Sequence, residues 1–320
     1  MGLDKENSKC VYHNCNLDIY KEKFCILHCD KDENRDIYAE CEFYLCLEKL
    51  IEKSKDLNGI KFFNEVSNNN INLNNFIKKI NKNVNDGVLN FNNCSFYGIP
   101  FDIENSNFRF NSCKFYSEIT ISDNEIDKNI FLLFLDCKFK ESVSISSYKL
   151  KKENIKTNVG FNNSYFGKDI NLYGLNNDFF VGHLSGCEVS ILNINNSILN
   201  YDLNLISKKH LNLSINNTTL NGCIELSRVE HIDNLNINNS TINGKVIISS
   251  EIHNEFNIHN VIFNNDVIFD NSKVISESIP KFESVSFTKL ASFRKMNFKK
   301  GLSLEKCLFS DNLSFQYINF

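Results

Sequence analysis

The chain has 320 residues, a formal net charge of −4, 42% hydrophobic and 23% charged residues. That much apolar content excludes a disordered chain, and the balanced charge excludes a nucleic-acid-binding tail. Two Pro exclude a collagen-like or Pro-rich chain, and the absence of any run of about 18 apolar residues excludes a membrane-spanning helix. The start, MGLDKENSKC, has no apolar stretch of the secretory kind. The expectation is therefore a cytoplasmic protein, in a compartment where thiols stay reduced and disulfides are rare. What stands out is 28 Phe with no Trp, 12 Cys, and Asn at about one residue in six. AT-rich coding favours Asn, Lys, Ile and Phe together, so their placement carries more information than their number.

In chain order, the first feature is a run of cysteines. Six fall in the first 46 residues: Cys10, Cys15, Cys25, Cys29, Cys41 and Cys46. Within it, Cys10, His13, Cys15, Cys25, His28 and Cys29 put six soft or borderline ligands into a short charged stretch. Zinc favours four S/N ligands in tetrahedral geometry, often as two close pairs around a loop. Cys10/Cys15 and Cys25/His28 form such pairs, with His13 and Cys29 as alternative ligands. The spacing predicts a structural zinc site over 1–33, closed by four protein ligands. A segment this short would take its folding energy from the metal.

Residues 34–87 read as a helical cap and linker. Ile37, Tyr44, Leu47, Leu50 and Ile51 recur at helical spacing within Asp36–Lys55, and lysines end the run. Cys41 and Cys46 on this helix read as buried thiols. A second helical stretch is predicted over Leu73–Ile80, beside an Asn-rich linker at Asn68–Asn75. These elements would cover the first unit of the downstream repeat, since terminal repeats need a cap.

From 88 to 320 the chain repeats. Near the end, large apolar residues stand at Phe282, Phe287, Phe293, Phe298, Leu304, Phe309, Phe315 and Phe320, in alternating steps of five and six. Two residues before each stands another apolar residue: Pro280, Val285, Ala291, Met296, Leu302, Cys307, Leu313 and Ile318. An i−2, i pair lies on one face of a short strand, and a strand every five or six residues requires a turn each time. The same steps recur at Phe110, Phe115, Ile121; at Phe134, Phe139, Ile145; at Phe161, Phe166, Leu172; and, after a slip of phase into equal steps of five between Leu184 and Ile194, in triplets beginning at Ile194, Ile215, Ile237 and Ile258. The middle member of each triplet follows a small or β-branched residue such as Cys113, Cys137, Ser164 or Thr218. Four sides of five and six residues give a coil of about 22 residues, stacked at the strand spacing of about 4.8 Å. The reading is mainly β: a parallel β-helix, four-sided, with a small N-terminal zinc and helical cap. Asn at the corners suits left-handed backbone, and Pro is scarce because nearly every N–H is needed for pairing between coils.

The units CSF at Cys94–Phe96, CKF at Cys113–Phe115 and Cys137–Phe139, and CLF at Cys307–Phe309 resemble the pentapeptide-repeat family, in a degenerate form with interposed six-residue steps. The resemblance covers about 230 residues and implies a right-handed quadrilateral β-helix with the small and large residues of each unit pointing inward. The N-terminal cluster, with its CILHC half, is similar to zinc-binding caps attached to some members. Some members bind type II topoisomerases by mimicking DNA, which needs a dense negative surface. Here Lys and Arg number 22 against 24 Asp and Glu from Val88 onward, so DNA mimicry ranks below a general binding role and direct nucleic-acid binding is not expected.

No P-loop, GxGxxG, GxSxG or HExxH motif is present. His183, His210, His231, His253 and His259 are spread along the coils, several near corners, and read as exposed turn residues, with a general base as the other role one could serve. Carboxylates such as Asp123, Glu125, Asp127, Asp266 and Asp270 read as solvated, with a carbohydrate-active β-helix enzyme as the other class they could serve. The leading expectation is a non-enzymatic scaffold that binds a protein partner through its solenoid surface. The repeat runs to Phe320 without a capping helix, so that end is expected to stack on a second copy as a homodimer or to continue into further chain.

Overall fold

In a computed structural model the chain is mainly β and forms a parallel β-solenoid of roughly 22 residues per turn. The structure describes residues 10, 15, 25–29, 37–53, 56–64, 88–98, 101–103, 107–122, 130–146, 157–175, 179–185, 187–276 and 278–320. The helix expected over Leu73–Ile80 and the Asn-rich linker lie outside them. Among the described residues there is one helix, and none is long and apolar enough to cross a membrane.

Helix α1 spans Ile37–Lys53. Phe43 and Leu47 are buried, Tyr44, Leu50 and Ile51 are partly buried against the core, and Leu45 faces out. Apart from Ile37, whose side chain lies outside the described set, this is the helical spacing read from the sequence, with Phe43 added to it. Its ring meets Phe62 edge-on at 6.0 Å, so the helix lies over the first coil.

The ladder begins earlier than the repeat can be followed in the sequence. Strands β1 (Asp56–Asn58) and β2 (Lys61–Asn64) pair in parallel with β3 (Leu89–Asn92) and β4 (Ser95–Gly98), aligning Leu57 with Phe91 and Phe62 with Phe96. Two inward columns then run side by side. Phe62, Phe96, Phe115, Phe139 and Phe166 stack face to face at 4.7–4.9 Å. Phe91, Phe110, Phe134 and Phe161 do the same at 4.8–4.9 Å. The columns meet edge-on, for example Phe134 against Phe139 at 5.4 Å, the arrangement aromatic quadrupoles favour. A third column runs Ile121, Ile145, Leu172, Ile194, Ile215, Ile237, Ile258, Phe282, Leu304. A fourth runs Leu199, Leu220, Ile242, Phe263, Phe287, Phe309.

The equal steps between Leu184 and Leu199 have a structural meaning. The third column passes through them unbroken, whereas on another side Cys187 pairs with Leu205. There a column of small residues gives way to a large one, so the triplets before and after the slip occupy different sides of the coil.

One kind of corner recurs along the solenoid. Among the described residues, thirteen non-glycine residues have positive φ, seven of them Asn, and each directly precedes the inward residue that opens a unit: Asn93 before Cys94, Asp136 before Cys137, Asn217 before Thr218, Lys295 before Met296. Asn tolerates this backbone better than other chiral residues. The left-handed residue displaces the chain from the ladder, and the small polar side chain repairs the break. Thr218 Oγ1 donates to the Asn216 carbonyl at 2.9 Å and accepts from the Ser197 N–H. Ser240 likewise donates to the Asn238 carbonyl at 2.7 Å and accepts from the Thr218 N–H at 3.1 Å. Cys113 and Cys137 donate to the Phe91 and Phe110 carbonyls at 3.2 and 3.6 Å. Buried backbone groups near a broken ladder need such partners.

Asn has a second use along the outer surface. Side-chain amides bond from coil to coil, Asn238 to Asn216 and Asn216 to Asn195 at 3.0 Å each, and Asn264 to Asn243 at 2.7 Å. An in-register stack lets one amide donate while its carbonyl accepts from the next.

At the far end the core opens. Leu308, Leu313, Phe315 and Phe320 are exposed, although Phe315 still stacks on Phe293 at 5.1 Å.

Candidate metal centre

The four residues expected to bind metal come together. The ligand atoms of Cys10, Cys15, Cys25 and His28 all lie within 4.8 Å of one another, and the group could hold a metal ion. Cys25–Cys29 forms a tight turn in which the His28 and Cys29 N–H groups donate to the Cys25 carbonyl at 3.1 and 3.0 Å. That turn swings the His28 ring back over Cys25, with Nδ1 at 3.1 Å from the Cys25 Sγ and 3.5 Å from the Cys10 Sγ. The Cys15 and Cys25 sulfurs are 3.6 Å apart.

These separations suit a tetrahedral ion. With bonds of about 2.3 Å to sulfur and about 2.05 Å to nitrogen, tetrahedral angles put S and N about 3.6 Å apart and two sulfurs about 3.8 Å apart. The observed 3.1–3.6 Å is slightly tighter, as for a site that expands a little around an ion.

The tautomer is set from outside the cluster. His28 Nε2 donates to the Asn58 carbonyl at 3.0 Å, which leaves the Nδ1 lone pair facing the sulfurs. Orientation of a ligating imidazole through its other nitrogen is the usual supporting contact at metal sites. Asn58 ends β1, so the first coil itself fixes the ligand. The same turn is tied on by the Lys61 N–H, which donates to the Leu27 carbonyl at 3.0 Å. Asn58 and Leu27 were not legible as site residues, because each acts through a backbone carbonyl that any side chain would supply.

Burial, the largest influence, pushes the Cys25 thiol far above its ordinary value, with the nearby Cys15 adding to it. Burial also holds the His28 imidazole below its ordinary value. Without a cation, burial therefore favours the neutral forms of Cys25 and His28. A divalent ion reverses this logic for sulfur, because a ligating thiol gives up its proton.

Of the alternative ligands, Cys29 is buried and aims its thiol at the Ile26 carbonyl, 3.7 Å away, outside the group. His13 lies outside the described residues. Cys46 on α1 is partly buried beside the core, where burial raises its thiol, and the side chain of Cys41 is outside the described set. No family model matches the chain, and no curated protein or solved structure matches it either.

Proposed function

We propose that the chain is a non-enzymatic cytoplasmic scaffold, related to the pentapeptide-repeat proteins, that binds a protein partner on the outside of its solenoid. The N-terminal cluster is its structural zinc site. Three thiolates and one imidazole favour zinc over hard cations, and four protein ligands leave no open position for chemistry.

The binding role rests on one observation above all. Phe63, Tyr97 and Tyr116 point outward on successive coils and stack at 5.0 and 4.3 Å, with Tyr116 exposed. Rigid outward aromatics held at coil spacing supply contact area at small entropic loss, the quality that makes Tyr common in binding surfaces.

Two measurements test the proposal. Metal analysis of the purified full chain should find one zinc, absent from a Cys25→Ala/His28→Ala variant. Affinity capture should then compare the wild type with a Tyr97→Ser/Tyr116→Ser variant of unchanged circular dichroism. Partners recovered by the wild type and lost by the variant support a binding face there. Recovery of the same proteins by the variant, or by an unrelated bystander, removes that reading.

A further inference from the structure

Three histidines that look like separate surface residues in the sequence converge on one outward face. His210 pairs with His231, and His231 pairs with Glu251, on three successive coils formed by the strands Leu203–Asn216, Ile224–Ile242 and Glu251–Phe263. His253 follows Glu251 by two residues and shares its side of the strand. The alternating residues Ile232 and Ile252 are buried in the core. The His210 ring stacks on His231 at 5.3 Å, and His253 meets His231 edge-on at 4.9 Å.

Three atoms carry the argument. His253 Nε2 and His231 Nδ1 are 3.2 Å apart. Glu251 Oε2 is 3.5 Å from His253 Nε2 and 3.8 Å from His231 Nδ1. The last two distances are too long for hydrogen bonds, so the carboxylate faces both ring nitrogens without bonding either. Ligands at about 2.0–2.1 Å from one tetrahedral ion would be about 3.4 Å apart. The observed 3.2, 3.5 and 3.8 Å bracket that figure. Beside them, the Asp233 carboxylate accepts from His210 Nδ1 at 2.6 Å and adds a second negative charge to this face.

We propose that His231 Nδ1, His253 Nε2 and Glu251 Oε2 together bind a divalent transition-metal ion of the imidazole-preferring class, such as zinc, cobalt, nickel or copper. Two imidazoles select this class over magnesium or calcium. The site differs in kind from the buried cysteine centre. Its side chains are 35%, 24% and 42% exposed for His231, His253 and Glu251, so the ion is reached from solvent and keeps at least one position for water or for a ligand from another molecule. It stands independently of the scaffold reading and of the identity of the metal at the cysteines.

The test uses the full chain with its cysteine centre loaded with zinc, titrated with cobalt(II) under equilibrium dialysis and visible spectroscopy. One further equivalent of cobalt should bind at micromolar concentration, with visible d–d bands and no new thiolate-to-cobalt band in the near ultraviolet. His231→Ala and His253→Ala should each lose that equivalent while keeping the zinc and the β spectrum, which is expected for half-exposed positions. Glu251→Gln should weaken it at least about tenfold. No further equivalent at about 100 μM cobalt, binding retained in the His231→Ala/His253→Ala double variant, or a new thiolate band would each overturn the proposal.

Discussion

Truncating Phe134 to Ala tests whether the aromatic columns hold the coils together. The ring is fully buried. It lies between Phe110 and Phe161 at 4.8 and 4.9 Å and meets Phe115 and Phe139 edge-on at 5.7 and 5.4 Å. Removing a buried phenyl ring costs about 3–5 kcal/mol through lost transfer energy and the cavity left behind. Four severed ring pairs, at about 0.5–1.5 kcal/mol each, push the expectation to the top of that range rather than adding in full, because the cavity already includes most of the lost contact. The expected loss is therefore about 4–5 kcal/mol. In a solenoid each coil touches only its neighbours, so the damage should also be local. Urea unfolding followed by circular dichroism should show an earlier and shallower transition than the wild type, the mark of divided cooperativity. Hydrogen exchange should quicken in residues 107–166 while 237–298 keep their protection. Phe134→Leu, which refills most of the volume, should lose only about 1.5 kcal/mol. A Phe134→Ala loss below about 1.5 kcal/mol, or exchange quickened evenly along the solenoid, would refute the reasoning.

A Cβ on Gly244 would fall 2.0 Å from the Gly222 carbonyl oxygen, and one on Gly222 would fall 2.0 Å from that of Tyr201. Gly244→Ala must therefore spread two coils at a backbone contact, with an expected cost of about 3 kcal/mol by urea denaturation; a neutral substitution would show that the coils are not so closely apposed there. The N-terminal cap should share an acid limit with and without metal and have an alkaline limit only without it. The His28 imidazole is lowered in the folded state, so the unfolded chain binds more protons in acid, and cap stability is lost as pH falls below the ordinary imidazole range. The Cys25 thiol is raised, so the metal-free cap also loses stability as pH rises through the ordinary thiol range, where only the unfolded chain ionises. Zinc should abolish the alkaline limb, since its thiolates are already formed, and keep the acid one. Near-ultraviolet circular dichroism against pH, with and without chelator, reads both limbs; an alkaline limb unchanged by zinc would argue against thiolate ligation.

Much of the fold was legible because a β-helix writes its geometry into spacing. Phe282, Phe287, Phe293 and Phe298 stand on successive sides of the coil, and the steps between them are the lengths of those sides. The corner rule was only half legible. Asn was expected at corners, but Lys295, Lys306 and Tyr317 hold the same left-handed backbone, and no propensity predicts them. There the position is imposed by the pairing of the flanking strands with the neighbouring coil, which overrides a local preference of about 1–2 kcal/mol. The first coil was missed for a related reason. Leu57 and Phe62 keep the five-residue step, but 26 residues separate Phe62 from the next unit at Leu89, and a lone unit has no periodicity to be recognised by. The cysteine centre was legible as a ligand set, because its residue types carry the chemistry. The histidine cluster was not. His210, His231 and His253 are spaced 21 and 22 residues apart, one coil each, and that spacing acquires meaning only once the coil length is known and the strand register is fixed.

Coil geometry also explains why the cysteine centre stands where it does. A β-solenoid end is an exposed row of backbone donors and acceptors above an exposed core. At the N-terminal end, the Leu27 carbonyl accepts from Lys61 N–H and takes the place of a preceding strand, while Phe43 of α1 covers the Phe62 ring. Neither contact would hold alone: the turn at Cys25–Cys29 is too short to be stable by itself, and α1 offers only one buried stripe. Cross-linking that turn to Cys10 and Cys15 through a bound ion would convert separate weak contacts into one unit, and the His28–Asn58 hydrogen bond joins the turn to the coil. Removing the ion should therefore expose the edge of β1 and β2 before it disturbs any later coil. That order of events separates a capping metal from one that stabilises the whole solenoid.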